Sequence, residues 1–90
     1  MKENSKKVFE CVKENQLAGN PVYNEVVAEL TGLSKKTVDG AFTRSIQQKG
    51  LGRRVPTEIE VEDEEGNLVH KTVKLFELTE EGLNVNPDEE

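Results

Sequence analysis

Tryptophan is absent from these 90 residues, and the aromatic residues are few: Phe9, Tyr23, Phe42 and Phe76. That scarcity argues against a row of base-stacking platforms of the kind that holds single-stranded nucleic acid. The phenylalanines are read as core residues and Tyr23 as a boundary residue. Cys11 is the single cysteine, so no internal disulfide can form, and it is read as a small core residue. His70 is the single histidine, and no cluster of cysteine and histidine exists that would hold a structural zinc ion. No apolar run reaches the roughly 18 residues of a membrane span, and Met1 to Lys7 contain no apolar signal core. The expectation is a cytoplasmic protein that makes no use of a membrane. No His/Asp/Ser constellation, phosphate loop or paired carboxylates suggest catalysis, so no enzyme activity and no cofactor are expected.

What is present is charge, and it is sorted. Hydrophobic and charged residues each make up 33% of the chain, which leaves one small core to build in one domain. The formal net charge is -6. An acidic total is awkward for a nucleic-acid binder, since phosphate contacts supply most non-specific affinity, but distribution decides. Residues 34–54 carry Lys35, Lys36, Lys49, Arg44, Arg53 and Arg54 against Asp39 alone. Residues 55–70 carry Glu58, Glu60, Glu62, Asp63, Glu64 and Glu65 with no lysine or arginine. A strongly basic block is followed directly by a strongly acidic one.

Hydrophobic spacing orders the elements. Val8, Phe9, Cys11 and Val12 recur at helical intervals and predict a first helix over residues 5–16, capped by Asn4 or Ser5. Val22-Tyr23 reads as a short strand. Asn24 suits the N-cap of a second helix over 25–31, and Ser34 the N-cap of a third over 35–49. In that third helix Val38, Ala41, Phe42, Ser45 and Ile46 face inward, and Gly50 stops it. Ile59 and Val61 alternate with Glu58, Glu60 and Glu62, the period of a one-sided strand. Two strands over about 53–62 and 68–79 form a hairpin turned by Glu65-Gly66-Asn67, and a two-residue loop centred on Glu65-Gly66 places Glu60 opposite Lys71. Pro56 assigns the first of these strands to an edge or a bulge. Residues 83–90 are polar and acidic and are expected to be a disordered tail after a domain spanning 1–82.

Residues 26–38, Val-Val-Ala-Glu-Leu-Thr-Gly-Leu-Ser-Lys-Lys-Thr-Val, resemble the two-helix core of a helix-turn-helix motif. Lys49-Gly50-Leu51 and Leu78-Thr79-Glu80-Glu81-Gly82 follow at spacings similar to those of MarR-like winged helix-turn-helix regulators. The resemblance covers residues 5–82. It implies an α+β fold, a three-helix bundle with a two- or three-stranded antiparallel β-wing, and sequence-specific double-stranded DNA binding by a small prokaryotic or phage transcriptional regulator. These 90 residues do not contain the terminal helices that build the dimer interface of that family. The expected wing tip, Asp63-Glu64-Glu65, is acidic where a DNA-reading wing offers arginine or lysine.

Such a fold sets its third helix in the major groove. The outward positions are then Lys36, Thr37, Asp39, Gly40, Thr43, Arg44 and Gln47. Arg44 suits guanine, Gln47 suits adenine, and Thr37 or Thr43 suits a thymine methyl or a phosphate. Lys35 and Lys36 stand at the helix N-terminus, where the dipole already favours phosphate. Lys49, Arg53 and Arg54 are candidates to grip the DNA backbone. Asp39 repels phosphate unless it accepts from a cytosine amine or pairs with Lys35 or Lys36. Gly40 costs a helix about 1 kcal/mol relative to alanine. It serves either close approach of a bound duplex or close packing of helices. A single module buries little surface on DNA, so a homodimer or tandem sites are expected for tight binding. The competing reading is a protein-binding module that docks its acidic wing, residues 58–65, on a transcription or replication component. An RNA-binding winged helix is a third.

Overall fold

In the computed structural model, which describes residues 1–88, Val8, Phe9 and Val12 form the buried face of α1 (Glu3–Leu17). Helix α1 begins two residues before the predicted start, and Lys2 rather than a side-chain cap precedes it. Ser5, expected as a cap, is instead 7% exposed, and its hydroxyl lies 2.7 Å from that of Ser45. β1 (Val22–Tyr23) leads directly into α2 (Asn24–Thr31). Asn24 is therefore the first residue of α2 rather than its cap. Its side-chain Nδ2 donates to the Lys35 carbonyl at 3.0 Å and ties the start of α2 to the start of the next helix.

Gly32 ends α2 with φ 76°, and Ser34 caps α3 (Lys35–Phe42) by accepting from the Thr37 amide. The helix does not run uniformly to residue 49. Thr43–Gln47 form a π turn, in which the Gln48 amide reaches back five residues to the Thr43 carbonyl. Val38, Phe42 and Ile46 are fully buried along one stripe. The wider turn inserts one residue after that stripe, and Leu51, five beyond Ile46, packs on the core.

β2 (Gly52–Glu62) and β3 (Leu68–Leu78) pair along their whole length, and β1 adds to β3, giving the sheet order β1-β3-β2. Pro56 thus sits in an edge strand, without a bulge. The register differs from the predicted one by one residue: Glu60 faces His70, and Lys71 faces Ile59. The cause is the turn. Asp63 Oδ1 accepts from the amides of Glu65 and Asn67, the Gly66 amide donates to the Asp63 carbonyl, and Gly66 takes φ 83°. That is a three-residue loop rather than a two-residue one, and an odd loop moves the partner sum by one. Freed from Glu60, Lys71 pairs with Glu25 of α2 at 2.8 Å.

The sheet meets the bundle where the rings of Phe42 and Phe76 stack, 4.0 Å apart and 9° from parallel. Where β1 ends, Gln16 takes over the edge of β3. Its side-chain amide donates to the Leu78 carbonyl and accepts from the Leu78 amide, at 3.1 and 2.7 Å. Among the described residues the fold is α+β, with four helices and one antiparallel sheet, and no helix is long and apolar enough to cross a membrane.

The fourth helix, α4 (Glu80–Leu83), is capped by Thr79, and a Cβ on Gly82 would collide with the Leu51 carbonyl. Residues 83–88, counted in the tail from the sequence, lie against the bundle. Leu83 and Val85 pack on the core, the Met1 ammonium donates to the Pro87 carbonyl at 2.9 Å, and Lys6 pairs with Asp88. Two apolar side chains and an acid facing a lysine of α1 are enough to dock residues 83–88. Glu89 and Glu90, also counted in the tail, lie outside the described residues.

Candidate nucleic-acid interface

The outward surface of α3 and its π turn divides into two flanks. One stripe, Asp39, Thr43 and Gln47, looks toward the β hairpin. The other, Lys36, Gly40 and Arg44, looks toward the N-terminus of α1.

On the second flank lies an open groove of about 740 Å³, lined by Met1, Lys2 and Ser5 on one side and by Lys36, Thr37, Gly40, Ala41, Arg44, Ser45 and Lys49 on the other. Leu51 and Val85 complete the lining. Four cationic side chains and no carboxylate line it. Among the described residues none of Lys2, Lys36, Arg44 and Lys49 has an ion-pair partner. Gly40 stands among them. A Cβ added there would meet no heavy atom within 4 Å, so internal packing does not require the glycine. Contrast Gly52, where a Cβ would sit 2.6 Å from Ile46 Cγ2. Of the two roles open to Gly40, close helix packing is removed. Thr37 lines the groove with its hydroxyl engaged by Ser34 at 2.9 Å.

On the first flank the charges are consumed. Arg54 comes from β2, next to the stacked rings, and its guanidinium lies 5.0 Å from the centroid of Phe42 and 5.3 Å from that of Phe76. Its side chain is only 16% exposed. It donates to Asp39 Oδ1 at 2.8 Å, to Thr43 Oγ1 at 3.0 Å and to Gln47 Oε1. Asp39 therefore pairs with Arg54 and not with Lys35 or Lys36. Arg53 points to the opposite face of the hairpin and pairs with Glu77, its direct cross-strand neighbour, at 2.5 Å. Lys35 lies 4.0 Å from Glu25. Lys71 and then Lys35 hold the Glu25 carboxyl below the usual carboxylate range, and the Lys71 ammonium is raised in turn.

Of the ten residues singled out from the sequence, the structure brings Lys36, Thr37, Gly40, Arg44 and Lys49 into the groove. Thr43, Gln47 and Arg54 gather in a second cluster, and Lys35 and Arg53 stand apart in ion pairs. Sequence reasoning missed Lys2. It lies outside the basic block, and only the approach of α1 to α3 makes it a neighbour of Lys49. It also missed Lys74, exposed opposite Pro56 on the hairpin face that carries Arg54. That same face continues outward through Glu58, Glu60 and Glu62, all exposed, with His70 Nδ1 3.1 Å from Glu58. Cys11 is half-buried against the core, and burial followed by the Glu14 charge pushes its thiol upward. Among the described residues no group of metal-ligating side chains assembles.

No protein-family model, curated protein or solved structure matches this chain.

Proposed function

We propose that the chain is a winged helix-turn-helix protein that binds double-stranded DNA sequence-specifically, with α3 in the major groove, as a small transcriptional regulator. The observation that carries this reading is the groove beside Gly40. Four cations unpaired among the described residues border a mid-helix glycine that no internal contact explains. An exposed glycine there lets a bulky polyanion approach the helix backbone, and the cations supply the phosphate contacts. The order of α2, Gly32, α3 and the β2–β3 hairpin adds support at the level of the fold.

The path of the phosphate backbone follows from the same arrangement. It runs along Lys36, Lys49 and Lys2, away from the hairpin tip, whose glutamates repel it. With about three phosphates neutralised, log K against log salt should have a slope of roughly -2.7. Arg44 is the candidate base-edge reader, and Lys36 and Lys49 are positioning contacts.

An amide-shift titration with random-sequence duplex at low and then high salt tests the reading. Shifts confined to Lys2, residues 36–49 and Lys74, lost at high salt, support it. An intact spectrum that does not move sinks it. The exposed face of Glu58, Glu60 and Glu62 then becomes the place to look for a protein partner.

A further inference from the structure

Arg54 was expected to be a phosphate contact, yet its geometry suits a different task. Its guanidinium is held against two stacked rings and spends its donors on three side chains of α3. We infer that Arg54 is a positioning residue that fixes the hydrogen-bond polarity of the α3 flank facing the hairpin, and so determines which base edges that flank can read. This inference rests on the DNA-binding reading above.

A guanidinium has donors and no acceptor, so each group it touches must turn an acceptor toward it. Asp39 gives Oδ1 and keeps Oδ2 to accept from elsewhere. Thr43 accepts from Arg54 on Oγ1, which leaves its own O–H to donate. Gln47 gives Oε1, which turns its Nε2 amine outward as a donor. The flank is thereby set as acceptor, donor, donor along the helix. An outward acceptor at Asp39 selects the exocyclic amine of cytosine or adenine. Outward donors at Thr43 and Gln47 favour guanine O6 and N7 or thymine O4 over adenine, which offers N7 but leaves its N6 amine without an acceptor. The bidentate adenine contact expected of Gln47 is disfavoured, because its acceptor oxygen is engaged.

Lysine at position 54 keeps the charge and loses the planar fork. The test is selection of bound duplexes from a random library by wild type and Arg54→Lys, with affinity for non-selected duplex measured alongside. The expected result is that Arg54→Lys loses discrimination roughly tenfold at the base pairs under Thr43 and Gln47, and admits adenine there. Its affinity for non-selected duplex and its salt slope stay as in wild type, which loss of a merely structural contact would not leave unchanged. Retained discrimination in Arg54→Lys overturns the inference.

A second arm needs no DNA. In the free protein the Arg54 guanidinium protons should give separate, slowly exchanging NMR signals with cross-peaks to the Gln47 side chain, and the Gln47 side-chain amide shifts should move in Arg54→Lys. If wild type shows averaged signals, the inference fails whatever the DNA result. If the signals are ordered but wild type selects no sequence, it is the DNA-binding reading that fails.

Discussion

Both flanks of α3 and its π turn are bordered by basic side chains, yet the two behave differently. On the side facing α1, Lys36 and Arg44 stand beside an open groove, without ion-pair partners among the described residues. On the side facing the hairpin, Asp39, Thr43 and Gln47 are bound to an arginine that is itself largely covered. The cations beside the two flanks differ in availability. A cation already paired and stacked must give up those contacts before it can serve a phosphate, whereas an exposed one gives up only water. A basic segment in a sequence therefore overstates the number of cations a ligand can use.

The severest way to break the comparison is to remove what holds both flanks in place. Phe42 is fully buried, stacks on Phe76 and supports the Arg54 guanidinium. Phe42→Ala should cost about 3–5 kcal/mol in a denaturant titration. A loss below about 1 kcal/mol contradicts the role of the stack.

A gentler change separates the flanks functionally. Arg44→Ala should weaken specific DNA binding by about 1–3 kcal/mol, and Lys36→Ala should lower the magnitude of the salt slope by about 0.9, with melting temperature unchanged for both. Arg53→Ala, on the far face of the hairpin, should leave the slope where it is. If Arg53→Ala and Lys36→Ala act alike, the division into available and consumed cations is wrong.

Gly40 sharpens the contrast between stability and binding. Space is free around it, so Gly40→Ala should stabilise the fold by about 1 kcal/mol through helix propensity while weakening DNA binding. Tighter binding by the stabilised variant removes the close-approach argument. Gly82→Ala should do the reverse for the fold, because a Cβ there collides with the Leu51 carbonyl.

The smallest effect concerns pH. The Glu25 carboxyl is lowered from its ordinary value, first by the hydrogen bond from Lys71 and then by Lys35. A depressed folded-state value means that the contribution is complete above the ordinary carboxylate range. It is lost only as pH falls through the lowered value. Between pH 7 and about 5 the link from α2 to the hairpin should not change. Below that range Lys71 is released, and Lys35 with it, and Lys71 side-chain shifts in an NMR titration should report it. A transition near neutral pH is inconsistent with the pairing.

Legibility followed the range of the interaction that decides each feature. The α3 cap depends on Ser34 and Thr37, three residues apart, and could be read from spacing. The inward stripe Val38, Phe42 and Ile46 is a matter of helical period. The hairpin was visible as alternation, but its register was not, because one carboxylate, Asp63, selects between loops that differ by a residue. The docking of residues 83–88 escaped because its partners are Met1 and Lys6, at the other end of the chain.

The order of helices and strands, the core stripe and a basic block running from the third helix into the strand after it can all be read from the order of amino acids. Each is set by neighbours within a few residues, where caps, period and turn chemistry act. Only the tertiary structure decided which basic residues remain without a partner, that Lys2 joins Lys49 across a groove, and that Arg54 faces inward to α3. Those outcomes depend on which elements approach one another. Side-chain pairing across 15 residues, as between Asp39 and Arg54, is fixed by packing rather than by local spacing.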